Sequence, residues 1–99
     1  MAGGLLDSLD AELRREVVRS ARRRRFDRRQ HLFYEGDPSD GMHLIEAGWV
    51  AVRAAGPLGD SVTLAVLGRG EPLGEQSLIR DGAPRSASAL ALTQVETLY

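Results

Sequence analysis

The 99-residue chain contains no cysteine and no lysine, only 5% aromatic residues, and no long apolar run. Without cysteine there can be no disulfide, no thiolate zinc site and no cysteine nucleophile. No apolar stretch approaches the ~20 residues that carry a helix across a bilayer. The opening Met1-Ala2-Gly3-Gly4-Leu5-Leu6-Asp7 lacks the basic and extended apolar parts of a secretory signal. These absences point to a cytoplasmic protein with no membrane partner. What is present suffices for one core and one domain, since 42% of the residues are hydrophobic.

The net charge of −1 hides an asymmetry. Residues 1–30 hold nine arginines against five acids, and residues 31–99 hold four against nine. Such a split can mark an arm that binds nucleic acid. The run Arg22–Arg25 is the candidate, but no aromatic residues interleave with it and acids dominate the chain beyond residue 30. The preferred expectation is that the run solvates a helix end, its stems covering apolar surface and its charges serving the C-terminal dipole.

That helix is predicted over Asp10 to about Arg22. Asp10 is suited to the N-cap, Glu12 lies near the favourable end of the dipole, and Leu13, Val17, Val18 and Ala21 share one face. Leu5, Leu6 and Leu9 form a further turn before it. From Phe26 onward nine of the eleven glycines fall between Gly36 and Gly82, separating short apolar stretches. Those stretches, at 31–34, 42–45, 49–52, 62–67 and 87–92, read as strands, with Tyr99 in or just after a late one. Val62, Leu64 and Val66 alternate with small or polar residues, the signature of a half-buried strand. Segments 35–41 and 54–60 carry turn residues. The expected fold is mainly β, a jelly roll or sandwich behind a short helical N-terminal segment.

The chemistry concentrates in residues 68–88. Gly74 allows the backbone to approach a ligand closely. The amides of Gln76 and Ser77 open a short helix-like turn, a seat for an anion. Arg85 offers a planar fork for phosphate oxygens and Ser86 a hydroxyl beside it. Glu75, an acceptor-only carboxylate, suits a sugar hydroxyl. An acid for a hydroxyl, with an arginine and amides for a phosphate, describes a ribose-phosphate site.

At these residues the chain resembles the cyclic nucleotide-binding domain of the Crp–Fnr transcription regulators. That family's phosphate-binding cassette runs Phe-Gly-Glu-apolar-(Ala/Ser)-Leu, then a spacer, then Pro-Arg-(Ser/Thr/Ala)-Ala. Here it reads Leu73-Gly74-Glu75-Gln76-Ser77-Leu78-Ile79 and Pro84-Arg85-Ser86-Ala87. Residues 25–40 resemble the family's opening strands and turn, and residues 43–52 its next hairpin. Leu73 stands in place of the common Phe, and Gln76 in place of an apolar residue. The resemblance implies a β-roll (a double-stranded β-helix or jelly roll) with a small cassette helix, and a sensory domain that binds cyclic nucleotide, cAMP by expectation. It implies that Glu75 holds the ribose 2′-hydroxyl and that Arg85 pairs with the cyclic phosphate. Ser86 and the backbone at Gly74, Gln76 and Ala87 would complete the cradle, with Val52, Leu64 and Leu67 lining the pocket. The expected layout is one sensor domain over 1–99, lacking the family's C-terminal lid helix and its DNA-binding domain. A homodimer would then belong to the full-length regulator, and DNA would be reached only through the absent domain.

No Ser/His/Asp triad or paired carboxylates stand out, so no catalytic residue, cofactor or metal is assigned and no enzyme is expected. His31 and His43 lack metal-site spacing and read as partly exposed strand residues. Trp49, after Gly48, reads as a surface residue, and Asp37 and Asp40 as turn formers. Two other readings stay open. One is a domain with a degenerate pocket that serves structure or dimerisation, and the other is a cupin-like metalloenzyme. The choice between cAMP and cGMP is not legible in the residues.

Overall fold

Short stretches in which small or branched apolar residues alternate with polar ones build most of the strands beyond residue 30. A computed structural model describes residue 15 and residues 21–39, 41–74 and 82–99. Eight strands occur in chain order: β1 (Arg23–Phe26), β2 (His31–Phe33), β3 (His43–Ala47), β4 (Val50–Ala55), β5 (Ser61–Leu67), β6 (Pro72–Leu73), β7 (Ser88–Ala91) and β8 (Val95–Leu98). They form two antiparallel four-stranded sheets, ordered β1-β8-β3-β6 and β2-β7-β4-β5. Sequence neighbours β1 and β2 fall in different sheets, as do β3 and β4, and β7 and β8. Successive pairs of strands thus wrap the barrel, which is the jelly-roll arrangement expected from the sequence.

The core lies between the sheets. Phe26, Ile45, Val50, Leu73, Ala89, Ala91 and Val95 form one buried cluster, with Leu32, Phe33, Val52 and Leu67 packed against it. Strands β7 and β8 show why these sequences commit to strand. Ala89 and Ala91 are buried while Ser88 and Leu90 are half-buried; Val95 and Thr97 are buried while Glu96 and Leu98 are half-buried. A period of two places one set inside and the other outside. Burying a Val or Ile side chain contributes about 1.5–3 kcal/mol, so Ile45, Val50 and Val95 anchor the two sheets against each other. At the β3–β4 turn Gly48 adopts φ +92°, and a Cβ there would collide with the carbonyl of Gln94. That turn accepts no side chain.

Two expectations are corrected by the strands themselves. The arginine run does not cap a helix: Arg23, Arg24 and Arg25 belong to β1, an edge strand paired with β8. Alternation explains how a strand tolerates them. Arg23 reaches Glu46 at 3.1 Å and Arg25 reaches Glu96 at 3.9 Å, while Phe26 enters the core. Arginines opposite acids on an exposed edge satisfy a strand as well as a helix end. The second correction concerns β5. Val62, Leu64 and Val66 are exposed, and Ala65 and Leu67 are the less exposed residues of the strand. Alternation marks two faces but not which one is covered. β5 is the outer strand of its sheet, and its register slips opposite Val52 and Arg53, skipping Leu64. Of the helix expected over 10–22, Arg15 is helical and Ala21 and Arg22 are not; the rest, with Leu5, Leu6 and Leu9, lies outside the described residues. The cassette helix also lies outside them.

Candidate functional site

The site is assembled where the loop after β2 crosses the segment before β7. Arg85 N–H donates to the Asp37 carbonyl at 2.7 Å, and Gly36 N–H donates to the Arg85 carbonyl at 2.8 Å. Ser39 N–H donates to Ala83 and Gly82 N–H to Ser39, at 2.8 and 3.0 Å, and Pro38 and Pro84 form an isolated bridge. The Asp37 carboxylate accepts the Tyr34 N–H at 3.0 Å and closes the turn beneath them. Two loops hydrogen-bonded as a miniature ladder hold the backbone of Arg85 as firmly as a strand would.

From that backbone the Arg85 side chain runs inward and is only 4% exposed. Its guanidinium lies 4.2 Å over the ring of Phe33, and Nη2 donates to the Gly41 carbonyl at 2.8 Å. A cation over an aromatic face contributes about 0.5–2 kcal/mol, and together with the Gly41 hydrogen bond it holds the fork in place. Gly74, at φ +76°, lies directly against the group: a Cβ there would collide with Nη1 of Arg85. The sequence suggests a glycine that admits a ligand. The structure shows a glycine that first of all admits the arginine.

Beside Arg85 opens a cleft of about 250 Å³. Phe33, Val52, Ala65, Leu67, Pro72 and Leu73 line it together with Gly74, Arg85, Ser86 and Ala87. The volume is slightly below the ~300 Å³ at which ligand clefts typically begin. Its lining is mixed, mostly apolar side chains with the Arg85 guanidinium and the Ser86 hydroxyl among them. That combination suits a flat apolar group joined to an anion.

Among the expected site residues, the structure brings Gly74, Arg85, Ser86, Ala87, Val52 and Leu67 to this one cleft. Leu64 is not there. It is 61% exposed, and Ala65 occupies the wall instead, because the register slip in β5 turns the inner positions to Ala65 and Leu67. Glu75 and Gln76 lie outside the described residues. Phe33 and Gly41 are contributors that sequence reasoning missed. Phe33 looked like one more strand residue, and Gly41 like one more turn glycine. The only available signal was their place in the two segments flanking the Asp37–Asp40 turn.

The histidines separate. His31 stacks on Tyr34 at 4.2 Å, in keeping with its half-buried place in β2. His43 corrects the expectation of a partly exposed residue. It is 2% exposed, its Nδ1 is 2.9 Å from the Thr97 hydroxyl, and the rings of Phe26, Phe33 and Tyr99 surround it. A single histidine opposite a buried threonine is a satisfied core residue. Among the described residues no group of three or more His, Asp or Glu side chains could hold a metal ion. Trp49 is exposed as expected. No helix among the described residues is long and apolar enough to cross a membrane.

The chain is a jelly roll that buries an arginine beside a mostly apolar cleft. Residues 23–99 match the model of the cyclic nucleotide-binding domain, and the chain belongs to that family. The chain is 40% identical over 76 residues to the cyclic AMP receptor protein of Thermus thermophilus, covering 77% of this chain and 35% of that protein. It is 33% identical over 73 residues to a CRP-like cAMP-activated global transcriptional regulator of Mycobacterium tuberculosis, covering 74% of this chain and 32% of that one. Among solved structures, the N-terminal domain of a transcriptional regulator from Streptomyces coelicolor superposes with TM-score 0.84 at 38% identity, over 95% of this chain and 66% of that one. The chain therefore spans about a third of the length of the two regulators. CRP-like transcription regulators are thus among its relatives.

Proposed function

We propose that the chain is a sensory domain that binds cAMP, with no reaction of its own. The observation that carries this reading is Arg85, buried at the edge of the cleft with its guanidinium held over Phe33 and against the Gly41 carbonyl. In this reading the fork pairs with the cyclic phosphate, helped by the Ser86 hydroxyl and the backbone at Gly74, Gln76 and Ala87. Glu75 accepts the ribose 2′-hydroxyl, and Val52, Leu67, Ala65 and Phe33 supply apolar surface to the nucleoside. The names of the Thermus and Mycobacterium relatives, both of which refer to cAMP, favour that nucleotide over cGMP. We assign residues 1–99 to a single sensor unit of a cytoplasmic regulator. Pairing of two copies and the reading of DNA are not assigned to residues 1–99.

The reading is tested by thermal melting with and without cAMP. At a hundred times the dissociation constant, a ligand bound only by the folded state adds about 2.7 kcal/mol, which raises the midpoint of a domain this size by roughly 10 °C or more. A 2′-deoxy ligand should give a smaller rise, and Glu75→Gln should abolish that difference. No shift with any cyclic nucleotide would leave the degenerate, structural module as the function.

A further inference from the structure

Tyr99 does not border the ligand cleft, yet it stands one residue away from the guanidinium that does. Arg85 Nη2 donates to the Gly41 carbonyl. The α-carbon of Gly41 in turn lies against the Tyr99 ring: a Cβ built there would sit 2.8 Å from Cζ, 2.9 Å from the hydroxyl oxygen and 3.0 Å from Cε1. Glycine is the residue that fits because the ring fills the space of a side chain. Gly41 is thus held between an arginine on one side and an aromatic ring on the other.

The ring is itself fixed. Tyr99 N–H donates to the Arg22 carbonyl at 2.8 Å, and its carbonyl accepts the Arg22 N–H at 2.9 Å, so its backbone extends the β1–β8 ladder. The Arg24 guanidinium covers the ring at 3.9 Å, and the His43 ring approaches at 4.6 Å, itself beside the Thr97 hydroxyl. A cavity of about 280 Å³ lies alongside, bordered by Arg24, Asp37, His43, Arg85 and Tyr99. If the ring were lost, Gly41 and then Arg85 would have room to relax into that space.

Building on the cAMP-binding reading, we propose that Tyr99 is a positioning residue for Arg85, acting through the Gly41 carbonyl. The end of β8 thereby sets the plane in which the arginine meets the phosphate. Conversely, a phosphate that meets Arg85 in that plane steadies the Gly41 carbonyl and, behind it, the contact at Tyr99. The strand end and the ligand site are coupled in both directions.

The test uses this chain in its ligand-free and cAMP-bound forms. In the ligand-free protein, the Arg85 Nε–Hε signal in ¹⁵N–¹H correlation spectra, assigned with Arg85→Lys, reports the setting of the guanidinium. Tyr99→Ala should shift that signal and weaken cAMP about 2- to 10-fold, the effect of misplacing one hydrogen-bonding group. Tyr99→Phe retains the ring and should restore both signal and affinity. In an Arg85→Ala background, Tyr99→Ala should cause no further loss. An unmoved Arg85 signal in Tyr99→Ala, or a full additional loss without Arg85, would overturn the proposal. If Tyr99→Ala does not fold, Gly41→Ala pushes on the same contact from the other side, and an unmoved Arg85 signal there is equally fatal. If the wild type binds no cAMP the ligand reading fails, and the ligand-free spectra alone decide the role of Tyr99.

Discussion

Arg22–Arg25 and Arg85 show how differently the same side chain behaves in two regions of one molecule. The run lies on and beside the edge strand β1, exposed, with Arg25 reaching Glu96 on the adjacent strand β8 and Arg23 reaching Glu46 on β3 beyond it. The solitary arginine lies in a loop, yet is buried, stacked on Phe33 and bonded to Gly41. In the first region charge is dense and readily hydrated. Exposed pairs of this kind typically contribute ~0.2–1 kcal/mol. In the second, one charge has been taken out of water, which a fold tolerates only when the charge is held by several groups. Density of charge in a sequence locates surface, whereas isolation and burial locate a site.

The comparison breaks most decisively at Arg85. A charge-assisted hydrogen bond contributes on the order of 1.5–3 kcal/mol, so Arg85→Ala should weaken cAMP about 10- to 100-fold and remove most of the ligand-induced rise in melting temperature. Next comes Gly74→Ala. It forces a Cβ into Arg85 and a positive φ onto alanine, a strain of ~1–3 kcal/mol, and the denaturation midpoint should fall while cAMP affinity drops. The paired Arg23→Ala and Arg25→Ala change sharpens the contrast from the other side. Stability should fall by no more than ~2 kcal/mol in total, less at high salt, with cAMP affinity unchanged. Leu64→Ser should do least, within about 0.5 kcal/mol by denaturant titration, because its side chain is exposed. A much larger loss there would mean that the outer face of β5 is covered in solution.

The strands with apolar alternation were legible: β3, β4, β5 and β7 fall where the pattern puts them, to within a few residues. β1 was not, because Arg23, Arg24 and Arg25 carry no strand preference of their own and are held there by pairing with β8. β6 is two residues long and begins with proline, so nothing local marks it; its register opposite His43 and Leu44 does. The inside and outside of β5 were exchanged because alternation is symmetric until another layer covers one face. At the site, Gly74, Arg85, Ser86 and Ala87 stood out through a short motif whose spacing is local. Phe33 and Gly41 did not, because their role is a contact across about forty to fifty residues of chain, which spacing cannot encode. His43 was misjudged for a related reason: its partner, Thr97, is 54 residues away.

The central claim is that the buried arginine, and not the arginine run, carries the ligand. It is tested most directly by calorimetric titration of cAMP into the wild type, Arg85→Ala and the paired Arg23→Ala and Arg25→Ala protein. The expected result is one saturable site with equal affinity in the wild type and the paired variant, and affinity about 10- to 100-fold lower in Arg85→Ala. Equal affinities in the wild type and Arg85→Ala would contradict it.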